Sequence, residues 1–150
     1  MAQSLARLHV HLIFSTKNRE PWVDQSIEAR VWAFLGGVAR QNKLKALQIG
    51  GTENHVHMLL CVPPTVTVSK AVQLIKGGSS LWIKSEFPGK RGFAWQDGYA
   101  TFTVSKSIVP EVVEYIQNQR EHHRAKTFEE EYVAFLHKHE IEHDQRYVFD

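Results

Sequence analysis

Apolar residues recur along this chain with two periods, and the switches between them mark out its elements. Leu8-His9-Val10-His11-Leu12-Ile13-Phe14-Ser15 has strand composition and is closed by the basic Lys17-Asn18-Arg19 and by Pro21. Asp24 is placed to cap a helix whose apolar positions, Ile27, Val31, Phe34, Leu35 and Val38, repeat at helical spacing. Leu44 to Ile49 predicts a short strand, Gly50-Gly51 a turn, and His55 to Val62 a strand stopped by Pro63-Pro64, the two strands forming a hairpin. Thr67 caps a second helix through Val68, Ala71, Val72, Ile75 and Trp82, interrupted at Gly77-Gly78. Ala100 to Ser105 is the next strand, and Ser107 with Pro110 opens a third helix carrying Val112, Val113 and Ile116. Thr127-Phe128-Glu129-Glu130 is a capping-box pattern that starts a last helix with the stripe Phe128, Tyr132, Phe135 and Leu136.

The order β-α-β-β-α-β-α-α predicts an α+β fold, an antiparallel sheet with helices on one face, close to the ferredoxin-like split βαβ plan. With 150 residues, 43% apolar content and no linker or repeat, the chain is expected to form one domain, 1–150, with a helical tail from about residue 127. Its net charge of +2 is unevenly spread. Residues 1–126 carry 16 Lys/Arg against 9 Asp/Glu, whereas 127–150 carry 2 against 7. A basic body suits a polyanion, and the acidic tail is expected to pack on that body or on a partner chain. No stretch approaches the roughly 20 apolar residues that span a bilayer, and the N-terminus has no signal-peptide pattern, so a soluble cytoplasmic protein without a membrane partner is expected. The single Cys61 lies in an apolar run and reads as a small buried hydrophobe.

Nine histidines include three His-x-His pairs. His137 and His139 fall in a helical segment, where residues two apart point about 200° from each other and cannot chelate one ion. In a strand, residues i and i+2 share a face, so His9/His11 and His55/His57 could each grip a metal, and geometry does not choose between them. In Val112-Val113-Glu114-Tyr115-Ile116-Gln117-Asn118-Gln119, Tyr115 and Gln119 are four apart and share a helical face.

These motifs together resemble the single-tyrosine HUH transposases of the smallest bacterial insertion sequences, the IS200 type. HUH denotes histidine, bulky hydrophobe, histidine, and matches His55-Val56-His57 within Glu53-Asn54-His55-Val56-His57-Met58-Leu59-Leu60. His11-Leu12-Ile13-Phe14-Ser15-Thr16-Lys17-Asn18-Arg19 resembles the family's first strand and its basic exit. Leu74-Ile75-Lys76-Gly77-Gly78-Ser79-Ser80, Trp95-Gln96-Asp97-Gly98-Tyr99 and Tyr115 to His123 resemble later segments in the family's order. Asn54 departs from the acidic residue often found before the first histidine, which is expected to tune the second shell around the metal.

The resemblance implies an HUH endonuclease fold in which His55 and His57, with Gln119 as third protein ligand, hold a divalent ion, Mg²⁺ or Mn²⁺, and Tyr115 is the nucleophile. The partner it implies is single-stranded DNA, with hairpin ends of the chain's own element, and the product of attack is a 5′-phosphotyrosine beside a free 3′-OH. It further implies a homodimer whose subunits share active sites, with Val104 to Pro110 as the hinge. Lys17, Arg19, Lys76, Ser79, Trp95 and Arg120 are the candidate DNA contacts. Lys76 beside Gly77-Gly78-Ser79 reads equally as a phosphate approach or a helix kink, and Trp95 with Tyr99 as a base-stacking pair or as core. The competing readings are a related HUH nickase and a silent nucleic-acid-binding module. Asn118, where nickases often carry a lysine, opposes the first, and the intact Tyr115, His55, His57 and Gln119 oppose the second.

Overall fold

A computed structural model describes residues 2–150. The elements run β1 (His9–Ser15), α1 (Glu28–Gln41), β2 (Lys45–Thr52), β3 (His55–Cys61), α2 (Val68–Glu86), β4 (Ala100–Val104), α3 (Val109–Gln117), α4 (Gln119–His122) and α5 (Phe128–Lys138). The strands form one antiparallel sheet in the order β2-β3-β1-β4, the split βαβ arrangement. No helix among the described residues is long and apolar enough to cross a membrane.

Strand alternation gives the sheet two apolar faces, and helices cover both rather than the one face expected. Leu12, Phe14, Val56, Met58 and Leu60 meet Val31, Leu35 and Ala39 of α1 and Ala71, Val72, Ile75 and Ile83 of α2. On the other face, Ile13, Ala100 and Phe102 pack against Phe128, Tyr132 and Leu136 of α5, while Leu59 and Val104 pack against Val109 and Ile116 of α3. The physical reason is burial: six of the seven residues of β3 are buried, so its even and odd positions both need a covering layer.

Four local expectations change. Gly50 and Gly51 lie inside β2, and the hairpin turns instead at Glu53-Asn54. A Cβ on Gly50 would stand 2.5 Å from the Ile116 carbonyl oxygen, and one on Gly51 2.1 Å from that of His55, so these glycines serve close backbone approach, not reversal of the chain. Helix α2 runs unbroken through Gly77-Gly78, since tertiary packing of a 19-residue helix outweighs about 1 kcal/mol of propensity per glycine. Helix α1 starts at Glu28, because Asp24 closes a preceding turn by accepting the Ser26 N–H at 3.0 Å. Thr67 and Thr127 cap α2 and α5 as expected, the latter with a full capping box through Glu130. Cys61 is half-buried at the end of β3 rather than fully buried.

Candidate active site

Register aligns Ser15, Ile13 and His11 of β1 with His55, His57 and Leu59 of β3, all on the face that α3, α4 and α5 cover. His55 and His57 are fully buried there. Each uses Nδ1 for support and turns Nε2 inward. His55 Nδ1 lies 2.9 Å from both Thr52 Oγ1 and Asn54 Oδ1, and His57 Nδ1 lies 2.8 Å from His11 Nε2. Such outer contacts set the orientation and basicity of a ligating imidazole. Asn54 thus stands directly behind His55, its side-chain oxygen against Nδ1.

Helix α3 brings Tyr115, and the closeness that Gly50 permits seats that helix at Ile116. The helix breaks at Asn118, and Gln119 opens α4, buried, with its Oε1 2.9 Å from His55 Nε2. Its amide orientation is set by Nε2–H donating to Glu131 Oε2 at 3.2 Å. Helix α5 inserts Glu131, only 2% exposed, into the middle of this group. Its carboxylate accepts from His57 Nε2 at 2.9 Å and His123 Nε2 at 3.0 Å, and Tyr115 donates its hydroxyl to the other oxygen. The rings of Tyr115 and His57 lie 5.8 Å apart, edge to face.

Burial, reinforced by His57, lowers His55 to about 3 and holds His11 well below the usual histidine range, so both rings are neutral at pH 7. Burial, then the Glu131 charge, pushes the Tyr115 phenol well above its ordinary value. At Glu131 burial opposes ionisation, but hydrogen bonds from His123 and His57 overcome it and keep the carboxyl below its usual range.

The donor set fits a divalent ion. His55 has acceptor oxygens at both ring nitrogens, Asn54 Oδ1 on one side and Gln119 Oε1 on the other. A neutral imidazole carries a single N–H, so with the amides so turned one contact opposes two lone pairs, a conflict that a cation at Nε2 removes. His55, His57 and Glu131 offer atoms within 4.8 Å of one another, and His122, His123 and Glu131 form a second such group. Two buried imidazoles with amide and carboxylate oxygens, and no thiolate, make a donor set of the kind that holds a divalent metal ion.

The structure therefore brings Tyr115, His55, His57 and Gln119 together in one chain. Arg19 and Arg120 line a cleft of about 650 Å³ beside them, with Asn54, His123, Arg124 and Lys126. Arg120 there bridges Glu28 and Glu53 at 2.7 Å each, and Arg19 donates to the Phe149 carbonyl at 3.1 Å. Lys17 is exposed nearby, 3.8 Å from Asp97. Lys76, Ser79 and Trp95 lie apart, on the α2 side of the sheet. Lys76 donates to the carbonyls of Gln96, Asp97 and Gly98 at 2.6, 3.2 and 2.7 Å. Trp95 is core, packed edge-on to Phe14 with its N–H on the buried Ser79 hydroxyl, which leaves no ring face for a base. Sequence reasoning read His11 only as half of a competing metal pair, and it missed its support of His57, the approach of His123 to the site, and Glu131. Only the His9-x-His11 motif signalled the first, while Glu131 was one acid among three after a helix cap.

A family model described as "Transposase IS200 like" matches residues 4–119, the greater part of the chain. Two relatives, the transposases for insertion sequence element IS200 of Salmonella typhimurium and Salmonella typhi, are each 29% identical over 117 residues, covering 74% of this chain and 76% of theirs. The crystal structure of a candidate transposase from Deinococcus radiodurans R1 superposes with a TM-score of 0.65 at 28% identity, over 79% of this chain and 98% of that one. A REP-associated tyrosine transposase bound to a REP hairpin shares the fold, with a TM-score of 0.59 at 13% identity over 82% and 74% of the two chains.

Proposed function

The chain belongs to the IS200-like transposase family, and on that premise we propose that it cuts and rejoins single-stranded DNA with Tyr115 as nucleophile. The observation that carries this reading is the convergence of the Tyr115 hydroxyl, both HUH Nε2 atoms and the Gln119 amide on one buried point. The Tyr115 oxygen attacks a backbone phosphorus, the bond from phosphorus to the 3′ oxygen breaks, and the phenolic proton leaves. The DNA 5′ end then remains on Tyr115, and a 3′-OH is released. Because the phosphodiester energy is kept in that link, a new 3′-OH can reverse the attack without ATP.

His55, His57 and Gln119 would hold Mg²⁺ or Mn²⁺, which when bound polarises the phosphate and offsets transition-state charge. That help matters because burial keeps Tyr115 protonated at neutral pH. The cleft of Arg19, Arg120, Arg124 and Lys126 supplies positive charge for the strand that enters. The DNA we assign is the hairpin end of the chain's own element, and a homodimer would hold two such ends together. Sharing of active sites between the subunits belongs to the same proposal, although one chain already carries every group named.

Labelled single-stranded DNA carrying a hairpin, incubated with the protein and Mn²⁺, is expected to give a covalent band that survives denaturation and disappears on chelation. Binding without any such band would make the chain a nucleic-acid-binding module instead.

A further inference from the structure

Glu131 is the only buried carboxylate among the described residues, and no Lys or Arg stands within 4.0 Å of it. A buried charge needs a partner or a metal. It also lies beyond residue 119, where the family match stops, so the assignment of His55, His57 and Gln119 does not include it. We propose that Glu131 is a further protein ligand of the divalent ion, one carboxylate oxygen completing the His55/His57 site while the other positions the Tyr115 hydroxyl.

Spacing supports this. Neighbouring donors around a six-coordinate ion with bonds near 2.1 Å stand about 3.0 Å apart. Here Glu131 Oε1 lies 2.9 Å from His57 Nε2 and 3.6 Å from His55 Nε2, and Gln119 Oε1 lies 2.9 Å from His55 Nε2. These are the edges of a coordination shell drawn from β3, α4 and α5. The ion would also set a divalent positive charge against Glu131, whose partners within 4.0 Å are histidines and not Lys or Arg. The second carboxylate oxygen takes the Tyr115 O–H and the Gln119 N–H, so one side chain ties nucleophile, amide ligand and histidines into a single unit. The helix delivering it is well fixed: the Thr127/Glu130 capping box sets its first turn, and Phe128, Tyr132 and Leu136 anchor it on the sheet.

The inference rests on the HUH metal reading but fails separately from it. Mn²⁺ binding to the full chain, without DNA, is measured by electron paramagnetic resonance for wild type, E131Q and the double variant H55A/H57A. The expected result is binding by wild type, none by H55A/H57A, and a Kd raised about tenfold or more in E131Q, with far-UV circular dichroism unchanged. Binding by E131Q as tight as wild type, or tighter, would show that the carboxylate merely fills the site; it overturns this inference and leaves the HUH reading standing. No binding by wild type overturns both. Should E131Q fail to fold, infrared difference spectra of the wild-type chain with ¹³C-labelled glutamate carboxylates, taken without and with one equivalent of Mn²⁺, decide the matter: a shift of a glutamate carboxylate stretch on metal binding supports ligation, and no shift refutes it.

Discussion

His57 can offer Nε2 to the site because His11 holds its other nitrogen at 2.8 Å, whereas His9, two residues earlier on β1, reaches nothing there. H11A is therefore expected to weaken Mn²⁺ binding by roughly 10- to 100-fold while H9A leaves it unchanged, both read by titration. Equal affinities would remove His11 from the support of the metal. A second outcome follows from burial of His55. Its pKa falls to about 3 in the fold from the ordinary 6.5, so between these values the unfolded chain binds more protons than the native one. Stability is thus fully present above about pH 6.5 and is lost as pH falls toward 3. In metal-free protein, urea unfolding should show a loss on the order of 1–2 kcal/mol between pH 7 and pH 5, and H55Q should flatten that slope. The placement of these side chains was legible in part: strand alternation put His55 and His57 on one face, as it did His9 and His11, spacing put Tyr115 beside Gln119, and only the family resemblance chose between the two histidine pairs. Glu131 was not, because nothing local in a run of three glutamates says which one a docked helix will aim inward.

At the scale of elements, two contacts place the tyrosine helix and the loop before β4. Gly50 lets the backbone at Ile116 approach β2, and G50A would put a Cβ 2.5 Å from the Ile116 oxygen. Either the strand or α3 must then move, at a cost of about 1–3 kcal/mol. Thermal melting should fall accordingly, and adduct formation should fall further than the melt explains, since Tyr115 precedes Ile116. Lys76 belongs to α2 and gives three N–H bonds to the carbonyls of residues 96–98. K76M is expected to lower stability by about 1–3 kcal/mol and to leave the salt dependence of DNA binding unchanged. A flatter salt slope would return Lys76 to the DNA surface. Periodicity and caps made most elements readable, including α2 and α5. The Gly50-Gly51 turn was misplaced because a glycine pair looks the same whether it reverses the chain or admits another backbone.

At the scale of the whole molecule the acidic tail packs on the chain's own body, through backbone and apolar contacts and, among the described residues, through no ion pair between a tail carboxylate and a Lys or Arg of residues 1–126. The Phe149 carbonyl accepts from Arg19, the Asp150 carbonyl accepts the Gly98 N–H at 2.8 Å, and α5 closes the second sheet face. The sequence showed that the tail had an apolar stripe and an acidic bias, but not whose surface it would cover, because that is decided by docking and not by local propensity. All the proposed chemical groups meet within one chain, so exchange between subunits is a separate question. Mixing Y115F with H55A/H57A restores cleavage if subunits share sites, and gives none, despite proven heterodimers, if each works alone. The central claim is narrower: Tyr115 itself becomes joined to DNA. After incubation with hairpin-bearing single-stranded DNA and Mn²⁺, nuclease trimming and proteolysis, tandem mass spectrometry should find a 5′-linked nucleotide on Tyr115 and no adduct in Y115F. A nucleotide on another tyrosine, or an adduct that persists in Y115F, would contradict it.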